Sequence, residues 1–318
     1  MNSVFLDKIR NFNNTSSYFI IDSNLRKHYS GLFNLIDSPK YFVEGGEQCK
    51  TLKVFEECVD FLIEHEIHRY SQIIAIGGGT VNDLSGFIAS TILRGIEWIS
   101  IPTTVLSTID ASIGGKVGIN TKYGKNLVGN FHNPKEIIVE PEFLKSLNDY
   151  EVSNGHGELL KYAFLDKDIF NALNKKSDIF TIYKMCMDYK KKITTEDFKE
   201  NGLRKILNLG HTFGHAFEKK NNTSHGLSVA RGIEVILQLF TPGLLSDYSS
   251  LIAKLKIDKY IDSLTARDFD NIFNYIAKDK KRSDNDKIDI IIPRDIGEIE
   301  IKTLSLSELE NMVVKTWN

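Results

Sequence analysis

His211 and His215 stand four residues apart in the stretch Leu207-Asn208-Leu209-Gly210-His211-Thr212-Phe213-Gly214-His215-Ala216-Phe217-Glu218. On a helix this spacing puts both rings on one face, a turn apart. Such a pair can grip a metal ion, or one ring can bind metal while the other handles protons. It can equally be an amphipathic helix whose histidines happen to align. A zincin is excluded, because its general-base glutamate would stand where Thr212 does. Glu158 and His225, taken with His211, would make two imidazoles and one carboxylate, the ligand set of an open catalytic zinc site. His156, two residues before Glu158, is a further candidate ligand. His-x-Glu also opens a deaminase signature, but its Pro-Cys-x-x-Cys partner is absent from the chain. Glu158 and Lys161 lie one turn apart at an expected helix start, where a surface ion pair is the ordinary reading. His28, His65, His68 and His132 have no comparable setting and read as surface or core residues.

A second group of residues suits an anion. Lys190, Arg204, Asn208, Lys280 and Lys281, accompanied by Glu200, surround the candidate metal residues in sequence. Clustered with Lys116 and Asn126, they would fit a small substrate bearing both a carboxylate and a phosphate. Lys116 and Asn126 fall in the glycine-bearing stretches 110–120 and 124–126, read here as loops. Solvated loop lysines are the common alternative. Gly115-Lys116 is no Walker motif, since Val117 replaces the required Ser or Thr. Gly77-Gly78-Gly79 follows an apolar run, where glycines let backbone amides approach a phosphate closely. The G-x-G-x-x-G fingerprint fails, because Asn82 occupies the third glycine position.

These residues need a scaffold. The chain has 318 residues, enough for two domains. It is 42% hydrophobic and 26% charged, with a net charge of -2, which leaves no electrostatic footprint for nucleic acid or an anionic membrane. No apolar run reads as a signal peptide or a bilayer span, and the three cysteines form no C-x-x-C pair, so a reducing cytoplasm is expected. Apolar runs at 18–21, 41–43, 72–76, 97–101 and 135–139 alternate with helical patterns such as 50–66. That alternation predicts βαβ units around a parallel sheet. Helical signals at 157–170, 179–197, 204–219 and 229–240 follow, and 287–293 with 298–301 around Gly297 read as a hairpin. The expected domains are 1–150, α/β and Rossmann-like, and 151–318, mainly helical.

The chain resembles the 3-dehydroquinate synthase family of the sugar phosphate cyclase superfamily. The resemblance rests on Gly77-Gly78-Gly79-x-x-x-Asp83-Leu84-x-Gly86, Arg94-Gly95, Pro102-Thr103-Thr104, Asp110-x-Ser112-x-Gly114-Gly115-Lys116 and Gly124-Lys125-Asn126. Glu158-x-x-Lys161-Tyr162 and Arg204-x-x-Leu207-Asn208-Leu209-Gly210-His211 through His215 complete it. It implies an NAD-binding α/β domain, a mainly helical metal-binding domain and an active site in the cleft between them. By the resemblance, a metal (Zn2+ or Co2+) is held by Glu158, His211 and His225. NAD is met by Glu47, Lys50, Gly78, Gly79, Asp83, Thr103, Thr104 and Lys125. The catalytic positions are Asp110, Lys161, Lys190, Arg204, Asn208 and His215, with His215 a non-ligand placed for proton transfer near the phosphate. Lys116, Asn126, Arg94 and a lysine of the Lys280-Lys281 pair join Lys190, Arg204 and Asn208 in holding the substrate. Arg94 is similar to an arginine that enters the neighbouring subunit's site, which implies a homodimer.

The implied activity is that of a phosphorus–oxygen lyase of the shikimate route to aromatic amino acids. It would convert 3-deoxy-D-arabino-heptulosonate 7-phosphate to 3-dehydroquinate and phosphate. NAD is used catalytically: oxidation acidifies a C–H, phosphate leaves by β-elimination, the hydride returns, and ring opening precedes an aldol closure. The chain departs from the family's usual pattern at Ala111, at Leu227 (where a glutamate is usual) and at Asn82. The alternatives are a cyclase acting on another sugar phosphate and a metal-dependent alcohol or glycerol dehydrogenase. A catalytically inactive binding protein is the third.

Overall fold

A computed structural model describes residues 1–14, 16–280 and 287–317, with the side chains of 278–280 left aside. The chain divides into two compact units, Met1–Asn148 and Asp149–Asn318.

The first unit contains α1 (Ser3–Asn11), β1 (Ser17–Asp22), α2 (Arg26–Phe33), β2 (Lys40–Val43), α3 (Leu52–Glu64), β3 (Gln72–Gly77), α4 (Gly79–Thr91), β4 (Glu97–Pro102), β5 (Lys116–Thr121), β6 (Gly124–Phe131) and β7 (Glu136–Ile137). Five strands form a sheet in the order β2-β1-β3-β4-β7, and each neighbouring pair is parallel. Side chains alternate across a strand, so a sheet covered on both faces needs continuous apolar runs. β3 shows the consequence: Ile73 and Ala75 enter one core with Cys58, Leu62, Val81 and Ile88, whereas Ile74 and Ile76 enter the other with Phe5, Ile9, Leu32 and Phe143. Each fully buried aliphatic or aromatic side chain contributes about 1.5–3 kcal/mol.

One expectation is corrected here. The stretches 110–120 and 124–126 are not simply loops, because Lys116–Thr121 and Gly124–Phe131 pair as an antiparallel hairpin. Gly118 and Gly129 face each other across it, and a Cβ on Gly129 would fall 2.4 Å from the Val117 carbonyl oxygen. The glycines that read as loop signals serve close strand approach instead.

The second unit contains α5 (Asp149–Leu165), α6 (Lys167–Asn174), α7 (Ile179–Glu196), α8 (His211–Asn221), α9 (His225–Phe240), α10 (Leu245–Lys254), α11 (Ile272–Lys280), the antiparallel pair β8 (Lys287–Asp295) and β9 (Glu298–Ser305), and α12 (Leu306–Trp317). The helix expected over 204–219 is in fact two pieces: a 3₁₀ turn at Leu203–Asn208, then α8. Gly210, at φ +78, reverses the backbone between them, a conformation that glycine adopts without steric cost. α5 and α9 touch backbone to backbone. A Cβ on Gly157 would meet the Gly226 carbonyl oxygen at 1.9 Å, and one on Gly226 would meet that of Asn154 at 1.8 Å. α8 and α9 meet in the same way, with a Cβ on Gly232 falling 1.9 Å from the Gly210 carbonyl oxygen. No helix among the described residues is long and apolar enough to cross a membrane.

Candidate active site

The glycine contacts decide where the candidate ligands fall, since Glu158 follows Gly157 on α5 and His225 precedes Gly226 on α9. Glu158 lies well inside α5 rather than at a helix start, and is completely buried. His211 opens α8, and its Nε2 lies 3.5 Å from Glu158 Oε1. The Nε2 of His225 lies 3.0 Å from the same oxygen. The other ring nitrogens are engaged elsewhere. His211 Nδ1 sits 3.1 Å from the Leu209 carbonyl, and His225 Nδ1 sits 2.9 Å from Glu218 Oε2. Each Nδ1–H therefore has an acceptor, which turns both Nε2 atoms toward Glu158. His215 adds a nitrogen that lies within 4.8 Å of the ligand atoms of His211 and His225. Three imidazoles and a buried carboxylate thus converge, and this donor set fits a divalent transition metal.

The Glu158–Lys161 pair is not a surface pair. Lys161 Nζ is 2.5 Å from Glu158 Oε2, with both side chains at most 2% exposed. A buried carboxylate needs such a counter-charge. Burial, opposed by the Glu158 carboxylate, holds the His211 imidazole well below its ordinary range. Burial also opposes protonation of His225, but its hydrogen bonds to Glu158 and Glu218 outweigh that cost and raise it. His156 is no ligand: its Nδ1 is 3.1 Å from the Leu255 carbonyl and its Nε2 is 2.8 Å from the Tyr183 hydroxyl. Glu218 has no assigned role in the sequence reading. Its signal was its position, three residues after His215 on the same helix.

In the same unit, Asp197 builds the loop that carries Arg204 and Glu200. Its carboxylate accepts the backbone N–H groups of Asn201, Gly202 and Arg204 at 2.8–3.0 Å. Arg204 is 3% exposed and donates through Nη1 to the Phe198 carbonyl. Asn208 Nδ2 donates to Glu200 Oε1 at 2.6 Å, and Lys190 lies buried on α7. Lys281 lies outside the described residues, as does the side chain of Lys280.

In the first unit, Lys50 is buried and its Nζ lies 2.5 Å from both Asp83 Oδ2 and Asn126 Oδ1. Asn120 donates to Glu47 Oε2 at 2.6 Å and accepts the Asn126 N–H, while Lys125 Nζ is 3.9 Å from Glu47. The structure therefore gathers Glu47, Lys50, Asp83, Lys125 and Asn126 into one polar network. Asn126, expected on the substrate, is held here by an expected dinucleotide contact. Gly78 and Gly79 form the turn into α4, and Thr103 donates its N–H to Gly77. Thr104 bonds Ser107, Asp110 lies in a π-helical turn at Ser107–Ala111, and Lys116 is exposed at the start of β5. Arg94 is exposed at φ +69, next to Leu93 at φ +52.

Residues 40–154 match the family profile for the N-terminal part of 3-dehydroquinate synthase, and residues 155–282 match the C-terminal part. A 3-dehydroquinate synthase from Clostridium tetani is 38% identical, over 91% of this chain and 82% of its own. The chain belongs to the 3-dehydroquinate synthase family. A Staphylococcus aureus 3-dehydroquinate synthase is 33% identical, over 93% of this chain and 88% of its own. Among solved structures, a 2-deoxy-scyllo-inosose synthase complexed with carbaglucose-6-phosphate, NAD+ and Co2+ shares the fold at a TM-score of 0.82. It is 24% identical, over 98% of this chain and 95% of its own. A 2-epi-5-epi-valiolone synthase from Streptomyces hygroscopicus with NAD+ and Zn2+ bound follows at 0.81 and 21% identity, over 99% of this chain and 93% of its own. A probable glycerol dehydrogenase from Sinorhizobium meliloti reaches only 0.62 at 15% identity, over 98% of this chain and 93% of its own. The fold is thus that of the family's α/β-plus-helical architecture.

Proposed function

We propose that the chain catalyses the reaction of its family, converting 3-deoxy-D-arabino-heptulosonate 7-phosphate to 3-dehydroquinate and phosphate in the shikimate route. The observation that carries this reading is the buried Glu158 with the Nε2 atoms of His211 and His225 turned onto it, in a chain 38% identical to a 3-dehydroquinate synthase. Glu158, His211 and His225 would hold the metal, and the network of Glu47, Lys50, Asp83 and Lys125 with Gly78, Gly79, Thr103 and Thr104 would hold NAD. When bound, the metal polarises an alcohol oxygen and NAD serves as a temporary hydride acceptor. Lys190 and Arg204 bind the substrate carboxylate, with Arg204 held ready by the Asp197 loop. Asn208, positioned against Glu200, orients a ring hydroxyl. Lys161 keeps Glu158 ionised inside the protein. His215 moves a proton at the departing phosphate. Lys116 serves as a substrate contact and Asp110 as a catalytic position. Lys280 or Lys281 completes the substrate contacts. By the family resemblance, a second copy of the chain would contribute Arg94, which is exposed in this one, to the phosphate. The first unit would thus be the NAD domain and the second the metal and substrate domain.

The test supplies the heptulosonate phosphate, Zn2+ and substoichiometric NAD, and follows phosphate and dehydroquinate. Many turnovers per NAD with no net NADH are expected. Absence of phosphate release from metal-loaded protein overturns the reading. NADH accumulating from a simple alcohol identifies a dehydrogenase, and release only from a different sugar phosphate identifies a sister cyclase.

A further inference from the structure

Asn82 occupies the place where a dinucleotide fingerprint has its third glycine, and nothing in the proposed chemistry uses it. It is 1% exposed, yet every polar atom of its amide is engaged. Nδ2 donates to the Gly77 carbonyl at 2.9 Å and to the Gly78 carbonyl at 3.0 Å. Oδ1 accepts from Ser100 Oγ on β4 at 2.6 Å. Two carbonyl acceptors and one hydroxyl settle which end of the amide is which. The Gly77 carbonyl also takes the Thr103 N–H at 3.0 Å, and the Gly78 carbonyl takes Asn82's own N–H at 3.1 Å.

The consequence follows from peptide planarity. In a trans peptide the C=O and the next N–H point in opposite directions. The Gly77 carbonyl belongs to the peptide that carries the Gly78 N–H, and the Gly78 carbonyl to the one that carries the Gly79 N–H. Drawing both oxygens inward turns both N–H groups outward. Gly78 caps α4 with no side-chain hydrogen bond, and a helix start of this kind suits an anion. Glycine peptides turn over easily, and a Cβ on Gly77 would lie 2.6 Å from Val81 Cβ, so that position admits no stiffer residue. The Asn82 side chain fixes the turn from below, through both carbonyls.

We propose that Asn82 is a positioning residue for the dinucleotide, locking the Gly77-Gly78-Gly79 turn so that the Gly78 and Gly79 amides face its phosphates. This rests on the NAD reading given above. The test compares Asn82→Ala, Asn82→Ser and Ser100→Ala in the full chain. It measures the NAD dissociation constant by calorimetry, and the melting temperature without NAD. Asn82→Ala loses both carbonyl contacts and weakens NAD about 10-fold in protein that is still folded, which corresponds to about 1.4 kcal/mol. Asn82→Ser keeps one short donor and falls between. Ser100→Ala leaves the amide on the two carbonyls, so it lowers the melting temperature with NAD affinity changed less than about 2-fold. Equal NAD affinity in Asn82→Ala or Asn82→Ser and the wild type, with only the melting temperature lowered, overturns the proposal and leaves Asn82 a packing residue. Wild-type protein that takes up no NAD overturns the dinucleotide reading first, and this inference with it.

Discussion

Replacing Asp83 with alanine strips the counter-charge from a lysine that has almost no contact with water. The Lys50 side chain is 3% exposed, and its ammonium sits 2.5 Å from Asp83. Asn126 then remains as its hydrogen-bond acceptor, also at 2.5 Å, and an amide oxygen does not neutralise a charge. Removing one partner of a buried pair costs about 3–5 kcal/mol. Lys50→Met is milder, about 1–2 kcal/mol, because the Asp83 side chain is 23% exposed and water can solvate it. The double variant should be more stable than Asp83→Ala alone, since it buries no unpaired charge. Urea unfolding followed by Trp98, buried in the same unit, reads these differences. The melting temperature of Asp83→Ala should fall by roughly 6–20 °C. Asp83→Ala within about 1 kcal/mol of wild type, or strictly additive effects in the double variant, would refute the argument that an uncompensated charge sets the cost.

Other consequences can be checked alongside. His211→Ala should abolish stoichiometric metal uptake, whereas His215→Ala should retain metal and lose turnover; equal metal loss in both restores a symmetric three-histidine site. Glu218→Ala frees the Nδ1 side of His225 and should weaken metal binding about 10–100-fold in a chelator competition, with Glu218→Gln less affected; unchanged affinity in both would remove Glu218 from the site. Gly226→Ala places a methyl 1.8 Å from the Asn154 carbonyl oxygen, so α5 and α9 must separate, at a cost of about 1–3 kcal/mol or more and with loss of metal; a crystal structure with the helices unmoved would contradict this. Hydrogen bonds from the backbone of Arg204, Asn201 and Gly202 hold the Asp197 carboxyl below its ordinary range. A depressed carboxylate contributes stability that is present above about pH 4 and lost as pH falls through the folded value. Asp197→Asn should therefore flatten the acid limb of the stability profile and raise KM through the loosened Arg204; an acid limb identical to wild type argues against it.

Local order was legible because it is written in neighbouring residues. The runs around Ile74 and Ile99 are apolar on both faces, which a doubly covered parallel sheet requires, and the 211/215 spacing requires a helix face. The motif spacing was sufficient to bring out the family, since residue type and separation along the chain survive without coordinates. Pairings between distant segments were not legible. β6 was missed because its outward side chains are exposed and its glycines imitate turn signals. The spacing of Glu158 and Lys161 left a surface pair open, because burial is not a property of an i,i+3 spacing. Lys50 meets Asp83 and Asn126 only after the sheet, α4 and the hairpin have formed. Glu218 acquires a role only once α9 delivers His225 beside it. The sequence by itself determined the five parallel strands, the donor types and the family, because those depend on side-chain chemistry and short-range backbone preference. Tertiary structure alone decided which carboxylate faces which cation and which imidazole nitrogen stays available. Those depend on helices meeting at Gly157 and Gly226, a distance of closest approach that neither segment encodes without the other.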